Sequence, residues 1–355
     1  MADSLTALVK LLKMAALDYS KRLQSLQSRR FDQELNESAL TKSFLTSDLP
    51  PDIKYLFESM HPIGEKYNAK TLQAAENVRK HLERDLNLHF ARAYRTQGSV
   101  RTNTNIRVHS DFDLLTVIDR YVYVEGTPVN PYTASNPHED IIELRKQSIT
   151  IMRNQYDNVD NSGEKCITIE NKHLNRKVDI VFAYWYNSKK YDEQKSEYYR
   201  GIHLYNFNSK ERQKPDFPFA TISNVNAKGD STNDGSRKGI RLLKNLKADS
   251  ETELNLLKSF HLTCIVHTID NSLLIYDHGD EIKIATAVSN EMGRLINDSS
   301  YRKSIKAPNG LELPLFNDDI VPDLISLKTD LDILIEDATK DIAKSYYVQR
   351  SILTY

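Results

Sequence analysis

The stretch Gln97 to Ile118, QGSVRTNTNIRVHSDFDLLTVI, puts two carboxylates, Asp111 and Asp113, at the start of an apolar strand pattern. Side chains alternate along a strand, so both project to one face. Like charges this close repel and raise each other's pKa. A divalent cation removes that penalty, and hard oxygen ligands suit magnesium. The same Asp-x-Asp spacing also reads as a solvated turn, or as the metal-nucleotide site of a glycosyltransferase. A third acid, Asp179, sits in RKVDIVFAYWY, where Val178, Ile180 and Phe182 alternate with Asp179, Val181 and Ala183. Both faces of that strand are largely apolar, so a carboxylate there is costly unless paired or bound to metal. It is answered either by a shared cation or by Arg176 or Lys177. Gly98-Ser99 stands thirteen positions before Asp111; a glycine lets backbone amides approach a phosphate, and the serine hydroxyl adds a donor. Arg95, Arg101 and Arg107 flank this turn as phosphate ligands or as ordinary surface arginines.

These residues need strands to hold them. Residues 88–96, 111–118, 121–125, 165–171, 176–187 and 201–207 are rich in Val, Ile, Phe and Tyr and are predicted as strands. A helix is predicted near 138–155, opened by Asn136-Pro137 with Glu139 and Asp140 in its first turn. Leu5, Leu8, Val9, Leu12 and Ala16 predict an amphipathic opening helix. Leu72, Ala75, Val78, Leu82 and Leu86 predict a second, after a break at Pro50-Pro51. Beyond residue 215 the pattern turns helical, near 236–247, 252–270, 281–297 and 323–346. The polar run Asn224–Ser236 (NVNAKGDSTNDGS) reads as a loop. A cleft between an α/β lobe and a helical lobe is a natural ligand site.

Gly98-Ser99, Asp111-Phe-Asp113 and Asp179 together resemble the polymerase-beta-like nucleotidyltransferase superfamily. The extended pattern QGSxRTxTxI…SDFDLL with RKVDIV resembles its cGAS/DncV-like nucleotidyltransferases, the bacterial signal synthases of anti-phage CBASS systems, across residues 60–300. The resemblance implies an α+β, bilobed fold with a mixed-sheet catalytic lobe and a helical C-terminal lobe. Along the chain this divides into a helical segment over 1–60, the nucleotidyltransferase lobe over 61–210 and a nucleotide-binding helical lobe over 211–355. It further implies two Mg²⁺ ions, with Mn²⁺ as a substitute. Asp111 and Asp113 would bridge both ions, and Asp179 would complete the site of the ion that activates the attacking ribose hydroxyl. Gln97, Gly98 and Ser99 would hold the triphosphate. Lys244, in RKGIRLLKNLK, would be a second triphosphate contact, or a solvated helix lysine. In Lys258-Ser259-Phe260-His261, Ser259 would touch phosphate and Phe260 would stack on a base, or be a core aromatic.

The implied activity is synthesis of a cyclic di- or trinucleotide second messenger from NTPs, ATP and/or GTP, with release of pyrophosphate. The alternatives are a transferase acting on an RNA or protein acceptor, and a catalytically dead nucleotide-binding regulator. Base choice, ring size and linkage are not written in these motifs. A CBASS ancillary protein is the partner the resemblance suggests, and the tail KSYYVQRSILTY either docks on its own fold or meets such a protein.

Composition bounds these readings. The 355 residues carry 48 Lys+Arg against 49 Asp+Glu, a net charge of −1, which argues against a broad polyanion-binding surface. Only Cys166 and Cys264 are present, so a His/Cys zinc thumb of the kind in animal DNA-sensing relatives cannot form, and activation by long duplex DNA is not expected. Both cysteines are expected as buried small hydrophobes. Lys10 and Lys13 interrupt the N-terminal apolar run, no stretch approaches the ~18 apolar residues of a membrane span, and a cytoplasmic protein with no membrane partner is expected.

Overall fold

A computed structural model describes residues 17–33, 35–40, 47–110, 112–125, 135–171 and 176–352. The predicted opening helix over Leu5–Ala16 and the acid Asp111 lie outside these residues. In chain order the elements begin with helix α1 (Tyr19–Arg30), short strands β1 (Phe31–Asp32) and β2 (Glu37–Ser38), and helices α2 (Pro51–Met60) and α3 (Glu65–Asp85). Strands β3 (Arg92–Gln97) and β4 (Phe112–Val124), helix α4 (Pro137–Gln155), and strands β5 (Asn158–Asp160), β6 (Cys166–Asn171) and β7 (Arg176–Asn187) follow. Next come helix α5 (Lys189–Gln194) and strands β8 (Arg200–Asn206) and β9 (Glu211–Arg212). The remaining helices are α6 (Pro218–Ser231), α7 (Gly235–Asp249), α8 (Ser259–Thr268), α9 (Asn271–Leu274), α10 (Ile282–Asn297), α11 (Ser299–Ser304) and α12 (Val321–Ile352).

Two compact units share these elements. The sheet unit comprises Asp32–Glu37 and Ile63–Asn224, and the helical unit gathers the described residues of Met1–Phe31, Ser38–Pro62 and Val225–Tyr355. In the sheet unit the strand order is β3-β4-β7-β6-β5, with β8 also pairing β7 and β9 pairing β8. Strands β4 and β7 run parallel while the other pairs are antiparallel, so the sheet is mixed, as expected. One face carries Phe112, Leu114, Val178, Ile180 and Phe182 and packs with Ala74, Val78 and Leu82 of α3 and Ile141 and Leu144 of α4. The other face holds a smaller apolar group of Leu115, Val117, Val181, Ala183 and Trp185. Helix α4 starts as its sequence indicates: the Asn136 side chain accepts from His138 N at 3.0 Å, and Pro137 takes the first turn, where its missing N–H costs nothing.

The helical unit buries one continuous apolar cluster drawn from α2, α7, α8, α10 and α12, including Tyr55, Leu243, Ile265, Val288 and Leu331. Three expectations need correction. The run Asn224–Ser236 is not a loop: helix α6 extends through Ser231 and α7 begins at Gly235. Burial of Val225, Gly229 and Thr232 at helical spacing outweighs the turn-forming composition. The stripe of α3 holds at Ala75, Val78, Leu82 and Leu86, but Leu72 is left 36% exposed and Thr71 and Ala74 are buried in its stead. Pro50-Pro51 is a helix start, because Pro51 occupies the first position of α2. Among the described residues no helix is long and apolar enough to cross a membrane.

Candidate active site

A row of four polar residues crosses the sheet. Gln97 on β3 is opposite Asp113 on β4, Asp113 is opposite Asp179 on β7, and Asp179 is opposite Thr168 on β6. Because paired residues share a face, all four stand on the side of Leu115 and Val181, away from the packed helices. Neighbouring strands run about 4.8 Å apart, so the two carboxylates are held side by side. Gln97 Nε2 donates to Asp113 Oδ2 at 3.1 Å, and Thr168 Oγ1 donates to Asp179 Oδ1 at 2.5 Å. Both acids are half-buried. Their joint field registers on a neighbour: the Cys166 thiol is pushed above its ordinary pKa by burial first, then by Asp179 and, further down the order, Asp113. The expectation of two buried cysteines therefore holds for Cys264, while Cys166 is half-buried on the acid face.

The described residues alone contain no cluster of three or more acid, His or Cys side chains suited to a metal. Asp111, two positions before Asp113, lies outside them. The described donor set nevertheless fits a hard divalent cation: two like charges side by side, all ligating atoms oxygen, and neutral amide and hydroxyl groups orienting them. Arg176, offered above as a partner for Asp179, belongs with Val178 and Ile180 to the opposite face, and its guanidinium donates to Asp32 Oδ2 at 3.0 Å. The role of Thr168 was not read from the sequence. Its only signal was a hydroxyl residue alternating with Ile167 and Ile169, which register with β7 makes meaningful.

The Gly98-Ser99 turn follows β3 directly. Gly98 has φ +106°, a conformation that strains any other residue, and a Cβ there would meet nothing within 4 Å. Open space above a glycine backbone is what a phosphate needs. The turn is knitted from within, Ser99 O accepting from Thr104 N at 2.9 Å and from Thr102 Oγ1 at 3.2 Å. Arg101 and Arg107 are exposed beside it, whereas Arg95 is committed to Glu197 through Nε at 2.8 Å.

Lys244, Ser259 and Phe260 belong to the helical unit. Lys244 is half-buried on α7, and its ammonium is pushed down to about 8, by burial first and then by the positive charge of Arg241. Ser259 is the exposed first residue of α8, and Phe260 is half-exposed. Lys258 N donates to His261 Nδ1 at 3.0 Å, so the Ser-aromatic-His element is the first turn of a helix, where unpaired N–H groups and the helix dipole favour an anion.

Comparison with known proteins places the chain in a family. The family model of the cGAS/DncV-like nucleotidyltransferase C-terminal helical domain matches residues 223–348. A c-di-GMP synthase from Lachnospiraceae bacterium (strain RUG226) is 33% identical over 290 residues, 72% of this chain and 80% of that protein. The chain belongs to the cGAS/DncV-like nucleotidyltransferases. Among solved members of this family, a STING-associated CdnE c-di-GMP synthase from Capnocytophaga granulosa superposes with a TM-score of 0.76 at 30% identity, over 91% of this chain and 99% of that one. A second such synthase, from Flavobacteriaceae sp., superposes at TM-score 0.78 with 24% identity, over 91% and 99%, which speaks for the fold. The expected α+β nucleotidyltransferase fold is thus borne out, and the expected synthesis of cyclic oligonucleotides agrees with what these nucleotidyltransferases are named for.

Proposed function

We propose that this nucleotidyltransferase joins two molecules of GTP into c-di-GMP, releasing two pyrophosphates, as the signal generator of an anti-phage CBASS system. The observation that carries the reading is the side-by-side pairing of Asp113 and Asp179 on parallel strands, the two middle members of the four-residue row Gln97–Asp113–Asp179–Thr168. The choice of guanine rests on the names of the relatives at 33% and 30% identity. Two Mg²⁺ ions, or Mn²⁺, would be held by Asp111, Asp113 and Asp179; when bound they lower the pKa of the attacking hydroxyl and neutralise the leaving pyrophosphate.

The chain's own contribution is orientation and charge placement. In each transfer a ribose hydroxyl oxygen bonds to an α-phosphorus, the bond to the β-phosphate oxygen breaks, pyrophosphate leaves and the hydroxyl proton passes to water. Gln97 and Thr168 fix the carboxylates. Within the sheet unit the Gly98-Ser99 turn is assigned to phosphate; within the helical unit Lys244 and Ser259 are assigned to phosphate and Phe260 to a base. The test is incubation of the purified chain with each labelled NTP, singly and mixed, in Mg²⁺ or Mn²⁺. GTP alone should yield a phosphatase-resistant product with the mass of c-di-GMP, and Asp113→Asn should lower its formation at least about a thousandfold, as loss of a metal-binding carboxylate does. A fully active Asp113→Asn variant refutes the site; a product requiring ATP or a pyrimidine refutes the guanine assignment alone.

A further inference from the structure

Beneath the acids, on the buried face of the sheet, one arginine gathers three separate segments. Arg176 opens β7 three residues before Asp179 and is 1% exposed. Its Nε donates to Thr71 Oγ1 of α3 at 3.0 Å, its Nη2 to Asp32 Oδ2 at 3.0 Å, and its Nη1 to His109 Nδ1 at 2.6 Å. His109 lies in the loop that enters β4, four residues before Asp113. The Arg176 and Asp32 side chains have no exposure, and all four residues belong to the sheet unit. A guanidinium is always a donor, so Nδ1 of His109 is the acceptor. Its planar fork can bond several partners at fixed angles, which an ammonium cannot do.

We propose that Arg176, held by Asp32 and acting through His109, is a positioning residue that sets where Asp113 stands against Asp179. The inference rests on the reading of these acids as the cation site. Strand β7 starts at Arg176 itself, and the approach to β4 is tied to the same guanidinium, so the two acid-bearing strands share one anchor on the face they do not use for chemistry. Catalytic groups tolerate misplacement of only about 0.5 Å, and outer partners that orient metal ligands are worth roughly 10–100-fold in affinity or activity. The segment Asp32–Glu37 is part of the sheet unit although the residues on both sides of it belong to the helical unit. The anchor gives that detour a purpose.

The experiment compares His109→Ala with His109→Asn in the full-length chain, because the Asn Oδ1 can stand where Nδ1 accepts. Arg176→Ala would leave Asp32 buried without its cation and is the variant most prone to unfold, so Arg176→Lys serves as the second probe. Melting temperature, Mn²⁺ binding by calorimetry without nucleotide, and kcat and KM for GTP are measured on each. His109→Ala and Arg176→Lys should stay folded, bind Mn²⁺ about tenfold more weakly and lose about tenfold in kcat, with KM for GTP changed less than about threefold. His109→Asn should restore Mn²⁺ affinity to within about threefold of the wild-type chain. Unchanged Mn²⁺ affinity in a folded His109→Ala variant, or equal losses in the Ala and Asn variants, overturns the inference. If the wild-type chain binds Mn²⁺ with this pattern yet makes no cyclic product, the proposed activity falls and the positioning role stands.

Discussion

Thr168 commits its hydroxyl to Asp179 Oδ1 at 2.5 Å, across the register of β6 and β7. A hydrogen bond to a charged group contributes about 1.5–3 kcal/mol, so Thr168→Val, which keeps the shape and removes the donor, should lower kcat about tenfold or more. Thr168→Ser should stay within about threefold, since it keeps the donor. Pyrophosphate release reads both. Lys244 makes a second, pH-dependent case. With its folded pKa at about 8 instead of 10.5, the ammonium of the free enzyme is lost as pH rises through about 8. If it meets the triphosphate, kcat/KM for GTP should fall between about pH 7 and 9 in the wild-type chain, and Lys244→Arg should flatten that limb because guanidinium stays charged. An identical profile in Lys244→Arg would remove Lys244 from the site. The sign for stability is opposite: over the interval from about 8 to 10.5 the unfolded chain binds more protons at this group, so its contribution to folding stability increases with pH.

Among the elements, α7 shows how tightly the lysine is mounted. A Cβ on Gly235 would stand 1.9 Å from the carbonyl oxygen of Leu274, which is backbone and cannot swing aside. Gly235→Ala should therefore cost about 2–3 kcal/mol in spite of the better helix propensity of alanine, measured by urea unfolding. Wild-type stability in that variant would mean α9 yields freely. The elements also show what was legible in the chain. Strands β4 and β7 declared themselves by alternation, and α4 by Asn136, Pro137 and its acidic first turn. Asp113 and Asp179 were readable because carboxylates interrupt apolar strands. The continuation of α6 past Asn224 was not readable, since Val225, Gly229 and Thr232 are small or polar and only packing makes them a helical face. Nor was the placement of Gln97 and Thr168 around the acids, because strand neighbours and register are tertiary facts that no local pattern encodes.

Over the whole molecule, the near-neutral charge, 48 Lys+Arg against 49 Asp+Glu, suits an enzyme of small nucleotides better than a binder of long polyanions. Within the helical unit, ion pairs join remote parts of the chain: Arg22 meets Asp330 at 2.6 Å, and Arg29 meets Asp249 at 2.6 Å, with Tyr55 donating to the same carboxylate at 2.8 Å. The Asp249 side chain is 1% exposed, so Arg29→Ala strands a buried charge and should destabilise the chain by about 3 kcal/mol or more, seen as a lower urea midpoint. Arg29→Lys should recover part of it. An Arg29→Ala chain as stable as wild type would show that Tyr55 alone satisfies the carboxylate.

These long-distance ties have a consequence for how the protein is made. Tyr19 donates to Asp337, 318 residues further along. At roughly 5–20 residues per second, helix α1 emerges from the ribosome many seconds before its partners on α12 exist. The residues of the sheet unit are all synthesised by Asn224, so the half bearing the carboxylates can take shape while the helical half still lacks most of its chain. A nascent chain halted before Asp330 presents Arg22 and the apolar side of α2 to whatever the cell offers. Helix α12 is the last of the described elements to be synthesised, so the apolar cluster it shares with α2, α7, α8 and α10 can close only after it has emerged.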